Sequence, residues 1–173
     1  MKRFLVTLCL FSTQMFGFFP STSVGDSEII GNLQEGLLIP LAEFSYLGSK
    51  TEIGSPCLKY KSRIFPAADF VFVRDLFNHS FRLEEYADWF TQKDFVLFPH
   101  KERSIFYGGV DRTTPMLMQR WENRDCYYFQ LFFGRGREGF CCNVYLPKPA
   151  YEDELFYWED FFAKLPYLID FIP

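Results

Sequence analysis

Residues 126–146 read CYYFQLFFGRGREGFCCNVYL, and the fold turns on how this stretch pairs with itself. Two runs rich in aromatic and β-branched residues flank a glycine-rich loop, Gly134 to Gly139, which is the composition of a β-hairpin. If Phe133 faces Phe140, opposed residue numbers sum to 273 throughout. One face then carries Tyr127/Leu146, Phe129/Val144, Leu131/Cys142 and Phe133/Phe140, all apolar. The other carries Tyr128/Tyr145, Gln130/Asn143 and Phe132/Cys141. The uniform face is predicted to lie on the core. The mixed face offers Tyr128, Phe132 and Tyr145 as aromatic anchors, with Arg135 and Arg137 at its rim. It is expected either to meet a partner or apolar ligand, or to lie under the C-terminal helix.

That helix follows directly. Pro147 and Pro149 end the hairpin, and Tyr151, Leu155, Trp158, Phe162 and Leu165 then recur on one helical stripe, predicting an amphipathic helix near 151–165. Glu152, Asp153 and Glu154 stand in its first turn, where the macrodipole favours acids. Pro166 stops it, and 167–172 reads as a returning edge strand. Upstream, Ser80 can cap a helix near 82–92 whose apolar face is Leu83, Tyr86, Ala87 and Phe90. Short strands are expected at 37–39, 44–47, 57–65, 70–73, 95–98 and 104–107, and around Met116 to Trp121 the residues leave helix and strand open. The pattern predicts an α+β fold, a mostly antiparallel sheet with one internal and one C-terminal helix.

Met1-Lys2-Arg3, the apolar run Phe4 to Phe11 and the small polar stretch ending near Gly25 follow the order of a secretory signal peptide. Residues 1–25 are therefore expected to be cleaved near Ser23 or Gly25. Residues 26–173 are expected to form a single globular domain with a polar lead-in near 26–36. The implied location is secreted or cell envelope, the periplasm in a Gram-negative source, with no transmembrane segment once the leader is removed. An uncleaved anchor would offer only residues 4–19, short of the ~20 apolar residues a span needs.

Phe 23, Tyr 10 and Trp 3 make 21% of the 173 residues, which excludes disordered, collagen-like and coiled-coil sequence. The net charge is −4, and loss of Lys2 and Arg3 leaves 16 basic residues against 22 acidic ones. Such a chain is not expected to bind nucleic acid, since phosphate neutralisation needs a basic surface.

The loop Gly134 to Gly139 matches G-x-G-x-x-G, but a strand follows it where a dinucleotide site needs a helix. The kinase version of that loop fails too, for no His-Arg-Asp or Asp-Phe-Gly occurs. Of the mature cysteines, the hairpin register holds Cys126 about 16 Å along the ladder from Cys141 and Cys142, too far for a bridge. A disulfide, if there is one, must join Cys57 to Cys141, Cys142 or Cys126. His79 and His100 are the only histidines, and no metal-ligand spacing or hydrolase motif accompanies them. No catalytic residue, metal or cofactor is assigned. The expected function is that of an exported, non-enzymatic binding or interaction protein whose partner is an unidentified protein or apolar ligand. The alternatives are a small exported hydrolase using a cysteine or carboxylate, and a small membrane β-barrel.

Overall fold

A computed structural model describes residues 21–24, 27–32, 35–39, 43–52, 55–94 and 101–171. The expected strand at 95–98 and His100 lie outside the described residues. The chain divides into two compact units, Glu43–Leu168 and the segments on either side of it.

The flanking unit is a four-stranded sheet in the order β1-β2-β3-β11, with β1 Ser21–Val24, β2 Ser27–Asn32, β3 Glu35–Ile39 and β11 Asp170–Phe171. Every neighbouring pair is antiparallel. β2 and the start of β3 fall where composition alone suggested a polar lead-in. β1 covers the residues at which cleavage is expected, so cleavage there would leave β2, β3 and β11.

The larger unit is an open seven-stranded antiparallel sheet in the order β4-β5-β6-β10-β9-β8-β7. Its strands are β4 Phe44–Glu52, β5 Ser55–Ser62, β6 Asp69–Leu76, β7 Lys101–Gly108, β8 Thr114–Glu122, β9 Cys126–Arg135 and β10 Glu138–Pro147. Two meanders, β4 to β6 and β7 to β10, meet at the central pair β6 and β10. The internal helix α1, Leu83–Asp94, joins them, and the C-terminal helix α2, Glu152–Lys164, follows β10. The sheet ends in two edge strands, β4 and β7, whereas a closed barrel has none.

The hairpin has the expected register: Phe133 opposes Phe140 and Tyr127 opposes Leu146. The helix or strand choice near Met116 resolves as β8, because pairing with β7 and β9 satisfies its backbone on both sides. α2 covers the uniform face, where the Phe162 ring lies 5.6 Å from Phe129 and Phe161 lies 5.4 Å from Phe44. Trp158 and Phe162 of its predicted stripe are buried, while Tyr151 is exposed.

The mixed face is also covered, and by the other helix. Tyr86 and Phe90 of α1 each place a ring 5.7 Å from Phe132, and with Ala87 they join Cys57, Val71, Val73, Leu117 and Cys141 in one apolar cluster. The expectation that these aromatics lie under the C-terminal helix is thereby corrected. Successive strand residues point to opposite faces, so a helix on the Phe129 side cannot touch Phe132. The polar residues of this face form a buried row across β8, β9 and β10. Gln119 Nε2 and Trp121 Nε1 both donate to Gln130 Oε1, the latter at 2.9 Å. Gln130 Nε2 donates to Asn143 Oδ1 at 2.8 Å.

Candidate functional site

The hairpin loop and the β6–α1 connection are tied together. The Phe77 N–H donates to the Arg137 carbonyl and the Phe81 N–H to the Gly136 carbonyl, both at 2.8 Å. Arg137 Nε donates to the Phe77 carbonyl at 2.7 Å. Gly134 and Gly139 make this possible, since the rings of Phe81 and Phe77 occupy the space where their Cβ atoms would stand. Gly136 serves a different need: it turns the loop at φ +62°. The glycine spacing that imitates a nucleotide loop is therefore a seat for two aromatic rings.

Beside this seat, Phe77 and His79 face a stripe made by Arg82, just before α1, and Glu85, Tyr86 and Trp89 on it, across an open recess of about 290 Å³. Spacings of three, four and seven residues put those four on one side of the helix. Tyr86 forms the floor. Its hydroxyl donates to Asp75 Oδ2 at 2.6 Å, and its ring meets Phe77 edge-on at 5.5 Å and lies nearly parallel to Trp89 at 6.2 Å. Burial, the neighbouring Cys141 and Asp75 push the Tyr86 hydroxyl well above its usual range, so it stays neutral and remains a donor. His79 stands 5.4 Å from Phe77, with Nδ1 2.8 Å from the Ser80 carbonyl. At the mouth, Arg82 pairs with Glu85 at 2.7 Å, an exposed pair of small energetic value. Trp89 is 38% exposed, whereas Trp121 and Trp158 are buried.

The sequence-predicted anchors part company. Tyr128 and Tyr145 do meet, edge to face at 5.1 Å, with Trp121 stacked 3.6 Å from Tyr128. Tyr128 is nevertheless buried, and Phe132 is fully buried beneath α1. Arg135 and Arg137 are exposed in the loop at the far end of β9, about 23 Å from Tyr128 at 3.3 Å per residue. Arg137 braces the recess described above. The residues that line it, Phe77, His79, Glu85 and Trp89, were missed by sequence reasoning, although the aromatic spacing of Phe77, Phe81, Tyr86 and Trp89 was there to be seen.

Cys57 and Cys141 both register with Val73 from opposite sides, which separates them by two strand spacings, about 9.5 Å, beyond disulfide reach. Cys126, Cys141 and Cys142 are free. Burial, then the adjacent Cys142, raises the Cys141 thiol against the opposing influence of Asn143, and burial raises Cys142. Both are thus poor thiolates. Among the described residues no three His, Cys, Asp or Glu side chains gather to hold a metal, and no helix is long and apolar enough to cross a membrane. No protein-family model and no curated protein matches the chain.

Proposed function

We propose that the protein is an exported, non-enzymatic binding domain that takes an aromatic or apolar side chain of a partner into the recess between the β6–α1 connection and α1. The observation that carries this reading is the half-exposed Trp89 ring, which with Phe77 and His79 leaves aromatic surface around an open recess floored by the buried Tyr86. Rigid aromatic surface with a polar rim is the composition of binding hot spots. The flanking tie through Arg137 and the glycine seat keeps the walls in place before a ligand arrives, so little ordering cost falls on binding. Export rests on the order of basic, apolar and small residues through position 25.

Selection of a displayed random peptide library against the full chain tests the recess. Enriched peptides are expected to carry an aromatic or large aliphatic anchor, to change the Trp89 fluorescence, and to bind at least tenfold more weakly to Trp89→Ala. Enrichment that survives Trp89→Ala and Phe77→Ala overturns the reading. Export has its own measurement, the intact mass of protein from its source cells after alkylation in denaturant. A chain starting near Val24 or Asp26 with four labels is expected, and a full-length chain with five labels overturns it.

A further inference from the structure

We propose that the chain forms a two-fold symmetric dimer through β7, whose outer edge pairs antiparallel with the same strand of a second copy. An edge strand exposes a row of backbone N–H and C=O groups that can accept another strand. Among the described residues, β7 is bonded through its backbone only to β8. The opposite edge is less suited, because a bulge between Tyr46 and Gly48 interrupts β4. β7 runs through eight residues without such a break, and it carries exposed apolar side chains, Ile105 at 54% and Tyr107 at 67%.

Symmetry narrows the register. A two-fold axis that joins two edge strands into one antiparallel sheet stands perpendicular to that sheet, so each face continues into the same face. Opposed residues must share a face, and their numbers sum to an even value. A sum of 206 sets Arg103 against Arg103, like charges face to face. A sum of 208 sets Glu102 against Phe106 and Arg103 against Ile105. A sum of 212 pairs only residues 104–108. A sum of 210 pairs 102–108, places Ile105 against Ile105 on the axis and sets each Arg103 against Tyr107 of the second copy. That register joins apolar to apolar at the centre and lays a guanidinium by a tyrosine ring on either side. Arg103 is already held on this face by Asp88 at 2.7 Å. The proposal does not depend on the aromatic recess.

Sedimentation of the full chain across a concentration series is expected to show twice the 20.5 kDa chain mass at high concentration. Ile105→Lys, which puts two like charges on the axis, is expected to weaken association at least tenfold without altering the circular dichroism spectrum. In a background carrying Cys9→Ser and Cys126→Ser, mild oxidation of Ile105→Cys is expected to give a covalent dimer, because opposed Cα atoms stand about 4.5–5.5 Å apart. Tyr107→Cys is expected to give none, its two copies lying four residues apart along the strands. A monomer at every concentration, or cross-linking through Tyr107→Cys instead of Ile105→Cys, overturns the proposal.

Discussion

Gly134 and Gly136 stand two residues apart in one loop, yet a methyl group added at each meets different surroundings. At Gly134 it would lie 2.5 Å from the Phe81 ring and closer still to the Glu138 carbonyl; at Gly136 it meets nothing, and the obstacle is φ +62°. Gly134→Ala is therefore expected to cost about 1–3 kcal/mol through overpacking, and Gly136→Ala about 1 kcal/mol through backbone strain alone. Urea unfolding midpoints at unchanged slope check both. The thiols give a second prediction at this scale. Cys141 and Cys142 are raised in the fold above the usual thiol value of 9.0, as Tyr86 is above 10.0. The unfolded chain ionises first and so holds fewer protons above pH 9. Stability from these groups is intact below that pH and falls as pH climbs toward the folded-state values, by up to about 1.4 kcal/mol per pH unit for each thiol. Unfolding free energies that stay flat between pH 8 and 10 would contradict this.

At the scale of elements, the two helices are held by different means. α2 is held by rings: Trp158 meets Phe44 at 5.9 Å, and Phe161 lies 6.1 Å from Phe70. Trp158→Ala is expected to cost about 3–5 kcal/mol, while Phe156→Ala, 70% exposed on the same helix, stays within about 0.5 kcal/mol. The three strands under α1 are joined side to side by the Gln119–Gln130–Asn143 row as well as by their ladders. Gln130→Leu keeps the volume and removes the buried partner that Gln119 Nε2, Trp121 Nε1 and Asn143 Oδ1 share. It is expected to cost at least about 2 kcal/mol, read as a fall in the thermal midpoint that Gln130→Glu does not rescue.

For the whole molecule, the seven strands of the larger sheet and both helices all lie between Glu43 and Leu168. A fragment of those residues is expected to unfold cooperatively, with near- and far-ultraviolet circular dichroism changing together. Separate transitions for the two signals would show that the core requires the flanking strands. The ladder between β6 and β10 makes the two meanders one sheet, and the connection from β6 to β7 carries α1. That connection takes the chain from the middle of the sheet to its edge and leaves α1 on the face opposite α2.

The hairpin register was legible because a strand's side-chain period is two: setting Phe133 against Phe140 across the glycine loop sorts the apolar residues of 126–133 and 140–147 onto one face, and a slip of one residue destroys that match. The two helices were legible for the same kind of reason, an apolar stripe at helical spacing, although α1 starts at Leu83, three residues beyond the Ser80 expected to cap it. What covered each face was not legible. Periodicity says that a face is apolar or mixed but carries no information about which distant segment reaches it, and long-range pairing is set by the sum of many contacts. So Tyr128, Phe132 and Tyr145 looked alike in sequence, and only the tertiary structure buried Phe132 beneath Tyr86 and Phe90. The same holds for the aromatic recess. Phe77 and His79 precede the helix that completes it, and Arg137, some sixty residues later, braces it through the Phe77 carbonyl. Local chemistry determined the elements, while the meeting of elements far apart in the chain decided the site.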